Sequence, residues 1–121
     1  MPNEKEHIDK AHHNEDFVNI FDIDNTKFLD WIITGLYYTA LHYIDAYLAS
    51  LGVEFIKNHT HRHEEYVIAL DRNVFRDYRT LENKSIIARY YAKNAFQMTP
   101  DDFRNFSDNE LNNIKKCLGY S

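Results

Sequence analysis

Three histidines and one arginine lie close together in the run His59-Thr60-His61-Arg62-His63. Imidazoles bind transition metals when neutral and attract phosphate when protonated. His59 and His63 are four residues apart, so a helix that contains both would place both rings on one face, where a metal ion could bind. His42 or Asp45 could supply a third ligand. The alternative is a solvated, titratable helix start that holds no metal, and the His-Glu-x-x-His pattern is absent.

A second polar group interrupts an apolar segment. Trp31, Tyr38, His42 and Asp45 follow one another at steps of seven, four and three, so a helix would place them on one face. A carboxylate one turn from an imidazole orients the ring and raises its pKa, which prepares a general base or a phosphate-binding histidine. The alternative is a buried His42 that a neighbouring tyrosine or aspartate satisfies.

Arginine side chains are concentrated after this segment. A guanidinium is planar and fork-shaped, which matches phosphate. The arginines concerned are Arg62, Arg72, Arg76, Arg79 and Arg89. We expect the first three at the surface, and the last two, which sit beside aromatic positions, partly buried. A buried arginine needs a partner, and Asp45 is the candidate, so the pair forms either a ligand site or an internal salt bridge between the second and fourth helices.

Helical periodicity predicts the elements that position these residues. Apolar residues recur at helical spacing over residues 4–21, 26–51, 61–79 and 81–97, and no strand pattern is convincing. The segment 26–51 is apolar over most of its circumference, which is typical of a central helix. Within it Gly35 predicts close approach of a neighbouring helix, and Gly52 predicts a C-terminal cap.

The end of the chain carries two helix-start signals. Thr99-Pro100 combines a hydroxyl cap with proline in the first turn. Ser107-Asp108-Asn109-Glu110 has the capping-box pattern and predicts the start of a last short helix. We therefore predict a single all-α domain over residues 1–121, an antiparallel up-down four-helix bundle with a short extra C-terminal helix.

Composition narrows the class of protein. The net charge of −5 argues against a general nucleic-acid binder, but the charge is unevenly distributed. Residues 1–56 carry 3 basic and 10 acidic side chains, whereas residues 57–93 carry 8 basic and 5 acidic ones. This positive region could attract phosphate or an acidic partner, or it could pair with the acidic first helix of its own fold.

Cysteine content and the absence of certain sequence motifs indicate the expected cellular location and cofactors. The single cysteine, Cys117, suits a reducing cytoplasm, and we expect neither a membrane span nor a secretory signal. No glycine-rich phosphate loop is present, and no cofactor is expected. Cys117 lies far in sequence from the histidines, so it is interpreted as a packing residue.

Several of these residues together resemble the HEPN superfamily of small helical, nucleotide-associated domains. The resemblance covers roughly residues 5–96. It is carried by the sequence pieces Asp30-Trp31, Leu36-Tyr37-Tyr38-Thr39-Ala40-Leu41-His42, Asp45-Ala46-Tyr47-Leu48-Ala49, His59-x-x-Arg62, Tyr78-Arg79-x-Leu81 and Ser85-x-x-Ala88-Arg89-Tyr90.

The resemblance implies an antiparallel homodimeric bundle with a cleft at the dimer interface. Many members cut RNA without a metal in toxin–antitoxin and other defence systems, and it implies partners such as a cognate antitoxin or a nucleotidyltransferase-type protein. Members use an arginine followed four to six residues later by histidine. Arg89 matches that arginine, but Asn94 occupies the histidine position. Asparagine cannot transfer a proton near neutral pH, so the family's ribonuclease motif is incomplete.

Four functions remain open from the sequence. The first is a homodimer that binds a nucleotide, RNA or a partner protein without turnover. Its predicted ligand-binding residues are Tyr38, His42, Asp45, His59, Arg62, Arg79, Arg89 and Asn94. The second is an atypical metal-free ribonuclease that uses His42 or His59 with Arg89. The third is a metal-dependent bundle enzyme with His42, His59 and His63, and the fourth is a protein whose role is only structural or interactive. We favour the first.

Overall fold

The computed structural model describes residues 2–53, 56–90 and 96–120. Within these ranges all regular secondary structure is helical, which confirms the predicted all-α class. In chain order the elements are α1 (Glu4–Asn19), α2 (Leu29–Ser50), α3 (His59–Ala69), α4 (Arg72–Tyr90), α5 (Pro100–Asn105), a π-helical turn (Phe106–Leu111) and α6 (Asn112–Leu118). None of these helices is long and apolar enough to cross a membrane.

Helix α2 lies at the centre of the core. It packs against α1, α4, α5 and α6. Of its 22 residues 13 are buried, so the helix is covered around most of its circumference, as its apolar pattern predicts. Ile32, Ile33, Leu36, Ile44 and Leu48 are essentially inaccessible to solvent, and burial of each contributes about 1.5–3 kcal/mol. Gly52 follows the helix with φ 91°, which confirms its predicted role as a C-terminal cap.

Helix α1 is a polar helix that packs extensively against α2. A capping box begins it, because Asn3 Oδ1 accepts from the Glu6 backbone N–H at 2.8 Å and Glu6 accepts in return from Asn3 N–H at 3.2 Å. The helix runs antiparallel to α2, since His7 contacts His42 and Phe17 contacts Gly35. Three of its 16 residues are buried, and they lie on the face that packs against α2.

Gly35 is the point of closest approach between α1 and α2. A methyl group at this position would lie 3.0 Å from Cδ1 of Phe17 and 3.2 Å from Cγ2 of Val18. This confirms the close approach that glycine predicts inside an otherwise apolar helix. The missing side chain also leaves a depression between the two helices.

A larger side chain at Gly35 should push α1 away from α2. We expect Gly35→Leu to lower the free energy of unfolding by about 1–3 kcal/mol through overpacking. Gly35→Ala should have a much smaller effect, because Phe17 is 38% exposed and can move, and alanine adds about 1 kcal/mol of helix propensity. Urea unfolding followed by circular dichroism measures both, and a leucine variant as stable as wild type would contradict the close packing.

The boundary between the third and fourth helices differs from the sequence prediction. We predicted a break near residue 80, but α3 ends at Ala69 and α4 continues unbroken from Arg72 to Tyr90. Leu70 has an extended backbone, and Asp71 Oδ1 accepts from the Asn73 N–H at 2.8 Å at the start of α4. A short aspartate cap without glycine or proline is a weak signal, and the regular apolar spacing across it favoured one continuous helix.

The C-terminal segment confirms one predicted helix start and corrects the other. Thr99 Oγ1 accepts from the Asp102 N–H at 3.1 Å and Pro100 is in the first turn, as predicted. Ser107 does not begin a new helix, because residues 106–111 form a π-helical turn with helical backbone at both of its ends. The last helical segment is therefore longer than expected, and its Phe103, Leu111 and Ile114 are buried.

Candidate functional site

Asp45 is a buried carboxylate that connects α2 to α3. Its side chain is 3% exposed. Arg62 donates through Nε to Oδ1 at 3.4 Å and through Nη2 to Oδ2 at 3.2 Å, so the guanidinium contacts both carboxylate oxygens. Tyr66, which is completely buried, donates its hydroxyl to Oδ1 at 2.6 Å. Burial and the negative charge of Asp45 raise the pKa of Tyr66 well above its ordinary value, so the phenol stays protonated.

This pairing corrects two sequence predictions. Arg62 was predicted to lie at the surface, but its side chain is only 16% exposed. Asp45 was predicted to pair with Arg79 or Arg89 on the fourth helix, but its partner is Arg62. The reason is the turn at residues 70–71, which makes α3 a separate helix and brings Arg62 to the second half of α2.

Glu82 of α4 is a second buried carboxylate, 4% exposed, that sequence reasoning did not single out. His63 Nε2 donates to Oε2 at 3.0 Å, and the Tyr78 hydroxyl donates to the same oxygen at 3.1 Å. Arg79 forms a salt bridge with Oε1. Burial alone would raise the pKa of Glu82, but the hydrogen bonds from His63 and Tyr78 and the charge of Arg79 together hold it below its ordinary value.

Buried tyrosines join these two carboxylate networks. The hydroxyls of Tyr37 and Tyr78 are 3.1 Å apart, and the rings of Tyr66 and Tyr78 meet edge to face with centroids 4.9 Å apart. Burial raises the pKa of Tyr37 to about 12, so it is a neutral donor. The predicted ligand-binding residues Asp45, Arg62 and Arg79 are therefore engaged in internal hydrogen bonds that tie α2, α3 and α4 together.

Arg89 lies on α4 beside the polar face of α2. Its Nη1 donates to the Tyr38 hydroxyl at 2.9 Å, and its Nε donates to the Ser85 carbonyl at 3.2 Å. The guanidinium carbon is 5.5 Å from the Tyr38 ring centroid and 5.1 Å from that of Tyr90, which is cation–π range. The structure thus brings Arg89 of α4 and Tyr38 of α2 together.

His42 contacts an imidazole rather than a carboxylate. Its Nδ1 is 3.2 Å from Nδ1 of His7, a buried residue of α1. The charge of Asp45 does raise the pKa of His42, as predicted, but the net shift of that pKa is downward. Burial lowers the pKa of His42 to about 4, and the charge of Asp45, already paired with Arg62, only partly offsets this.

The predicted polar residues of α2 meet α1 in an open groove of about 600 Å³. From α2 it is lined by Trp31, Thr34, Gly35, Tyr38 and His42, and from α1 by Lys10, His13, Asn14 and Phe17. Trp31 is 57% exposed and presents an aromatic surface to solvent. The groove thus combines three aromatic side chains, Phe17, Trp31 and Tyr38, with cationic, imidazole and amide side chains, while Asp45 lies outside it. We call it the α1–α2 groove.

No protein-family model, no curated protein and no solved structure matches this chain.

The histidine run does not assemble a metal centre. His59 is exposed at the first position of α3, whereas His63 is bonded to Glu82. Across residues 2–53, 56–90 and 96–120, no group of three potential ligands lies close enough to hold a metal ion. His59 is also absent from the α1–α2 groove lining. Asn94, the remaining predicted ligand-binding residue, lies outside the described residues.

In the described part of the positive region, residues 57–90, some basic side chains pair internally and no salt bridge links them to α1. Arg62 and Arg79 pair with Asp45 and Glu82 of α2 and α4. The acidic side of α1 instead faces α6, because Glu15 Oε1 is 3.3 Å from Lys115 Nζ. Some basic side chains of the positive region are thus neutralised by buried carboxylates. The spacing of residues in the sequence did not indicate these pairs.

Two buried polar residues, His7 and Glu82, were not singled out from the sequence, although local spacing carries a signal for each. His7, Ala11 and Val18 recur at steps of four and seven and are the three buried residues of α1, so His7 lies on the apolar face. Tyr78 and Glu82 are four residues apart, which is the spacing of a helical side-chain pair. These local patterns could have marked His7 and Glu82 as buried, but not the partners they contact.

Proposed function

We propose that this protein is a HEPN-like helical protein that binds a nucleotide or a single-stranded RNA segment in the α1–α2 groove and does not turn it over. The observation that carries the proposal is the combination of exposed Trp31 with Lys10 and His13 in one groove. Aromatic surfaces bind nucleobases by stacking, and nearby cations attract the phosphates. The resemblance to the HEPN superfamily supports the same ligand class.

The groove's other residues fit this role. Tyr38 lines it while its hydroxyl accepts from Arg89, which fixes the orientation of the ring. His42 and Asn14 add groups able to hydrogen-bond a base edge or a phosphate oxygen. The overall charge of −5 makes tight binding to any nucleic acid backbone unfavourable, so we expect a short ligand rather than duplex.

The absence of turnover is inferred from the state of the candidate catalytic groups. His42, with a pKa of about 4, is a weak proton acceptor near neutral pH. Arg89 already donates to Tyr38 and Ser85. Both would have to change partners before they could act on a phosphodiester, which disfavours the metal-free ribonuclease.

We also infer the arrangement and assembly that the resemblance implies. Helix α1 packs antiparallel to α2, because His7 contacts His42 and Phe17 contacts Gly35. An antiparallel up-down bundle accounts for these contacts and for the C-terminal segment beside α1. The homodimer and a cytoplasmic location are part of the proposal, and light scattering of the purified protein tests the dimer.

Removing the stacking surface should weaken binding strongly. We expect Trp31→Ala to raise the dissociation constant for a fluorescently labelled single-stranded RNA roughly 5- to 150-fold, because stacking of one base on an aromatic side chain contributes about 1–3 kcal/mol. Fluorescence anisotropy at low salt measures this. Ile68→Ala is the control, since Ile68 of α3 is a large apolar residue that is 80% exposed and lies outside the groove. Equal losses in both variants would contradict the assignment of the groove.

A cleavage assay on the same RNA tests the absence of turnover. Wild-type protein with EDTA should leave the RNA intact while still binding it. EDTA-resistant cleavage that disappears in both His42→Ala and Arg89→Ala, each checked for folding by circular dichroism, would instead establish a metal-free ribonuclease. Cleavage that only EDTA abolishes would establish the metal-dependent alternative.

A further inference from the structure

A pair of imidazoles joins α1 to α2 in a buried position. His7 is 5% exposed, and its Nδ1 is 3.2 Å from Nδ1 of His42. The ring centroids are 5.5 Å apart. Two nitrogens at this distance share one proton, with one ring donating and the other accepting.

The second nitrogen of His7 decides which ring donates. His7 Nε2 is buried and has no hydrogen-bond partner among the residues that the structure describes. A neutral imidazole carries one N–H, and a buried N–H without an acceptor costs more than a bare ring nitrogen. We therefore assign the proton of His7 to Nδ1, which donates to His42 Nδ1. His42 then carries its proton on Nε2, and this ring lines the α1–α2 groove.

We propose that the His7–His42 pair is a proton-sensitive contact that holds α1 on α2, so that acid opens the α1–α2 groove and releases its ligand. The ligand part rests on the proposed function, whereas the helix contact rests on the geometry alone. Lys10 and His13 belong to α1, so separation of α1 from Trp31 and Tyr38 removes the cationic side of the groove.

Adding protons to the pair disrupts it stepwise. One extra proton forces His7 to carry its N–H on Nε2, where no acceptor is described. Two extra protons place N–H groups on both Nδ1 atoms, and the contact becomes one between two cations. When α1 separates from α2, water solvates both rings. The open form therefore has neither an unsatisfied N–H nor a contact between two cations.

Charged groups on three helices act on the pair. Those on α1 are Lys10 and Glu6, that on α2 is Asp45, and that on α3 is Arg62. Asp45 and Glu6 favour protonation, whereas Lys10 and Arg62 oppose it, and Asp45 is bonded to Arg62. Burial outweighs these charges, so the pKa values of both rings are lowered, that of His42 to about 4.

The sign of the pH dependence follows from these lowered values. A solvated imidazole has a pKa of about 6.5, so the open form takes up protons at a higher pH than the closed form. Closure is fully favoured above about pH 6.5 and weakens as the pH falls toward about 4. For each imidazole that is protonated only on opening, the opening equilibrium constant rises up to about tenfold for every unit by which the pH falls.

Hydrogen exchange measured by mass spectrometry tests the contact in the full chain. Between about pH 6.5 and pH 5, and after correction for the intrinsic exchange rate, we expect α1 amides to open at least tenfold more often, while α4 amides change much less. The double variant His7→Gln/His42→Gln should remove this dependence, and His12→Gln, which alters an exposed histidine of α1, should retain it. A flat wild-type profile, or an unchanged slope in the double variant, would overturn the proposal.

Two further measurements keep the test decisive. If the double variant does not fold, an NMR titration of wild type replaces it, and pKa values near 6.5 for both rings would overturn the proposal. RNA affinity at each pH separates the two claims. Acid-dependent opening of α1 without any RNA binding at neutral pH refutes the proposed function alone, whereas RNA binding that persists unchanged to about pH 5 refutes the acid release.

Discussion

Asp45→Ala is expected to lower the free energy of unfolding by about 3–5 kcal/mol. The substitution leaves Arg62 as a largely buried cation without its carboxylate and removes the closer of the two acceptors of the Tyr66 hydroxyl, which keeps only the Leu41 carbonyl at 3.3 Å. Since these contacts also attach α3 to α2, the loss should be accompanied by faster hydrogen exchange in α3. Urea unfolding followed by circular dichroism measures the stability.

Two further variants identify the cause of this loss. Asp16→Ala is the matched control, because Asp16 is an exposed carboxylate of α1, and we expect its effect to be within about 0.5 kcal/mol. The double variant Asp45→Leu/Arg62→Met should recover most of the stability, since it removes both charges and fills the space with apolar groups. If Asp45→Ala is as mild as Asp16→Ala, the buried ion pair does not hold α3 in place.

Glu82→Gln is expected to lower the free energy of unfolding by about 2–4 kcal/mol at neutral pH. The amide removes the negative charge that His63, Tyr78 and Arg79 surround, and its NH₂ group faces donors. The effect should be smaller than that of Asp45→Ala because the Arg79 side chain is 39% exposed and can turn into water. Glu64→Gln, an exposed position of α3, is the control.

The difference between wild type and Glu82→Gln should depend on pH. The pKa of Glu82 is lowered in the folded protein, so its charge contributes stability above the ordinary value of about 4.5, and this contribution is lost as the pH falls through the lower folded value. We therefore expect the difference to be constant from about pH 7 to pH 5 and to narrow below about pH 4.5. Urea unfolding of both proteins at each pH measures it, and a difference that widens in acid would contradict this account.

The local periodicity of the sequence determined the helices and the polar face of α2. Apolar residues on nearly every side predicted that α2 is central, Gly35 predicted close approach of a neighbour, and Thr99 predicted a helix start. Trp31, Tyr38 and His42 were predicted to share a face, and they line one groove. These features depend on residues within a few turns of each other, so sequence spacing carries them.

Only the tertiary structure decided which polar groups pair. Arg62 rather than Arg89 binds Asp45 because α3 is a separate helix that brings Arg62 to Asp45, and this follows from a short turn with no strong sequence signal. The partner of His42 is His7, 35 residues away, and no spacing rule connects residues on different helices. Burial by α1 then reversed the predicted pKa shift of His42, because desolvation depends on everything packed around a ring, whereas the sequence shows only the neighbours on its own helix.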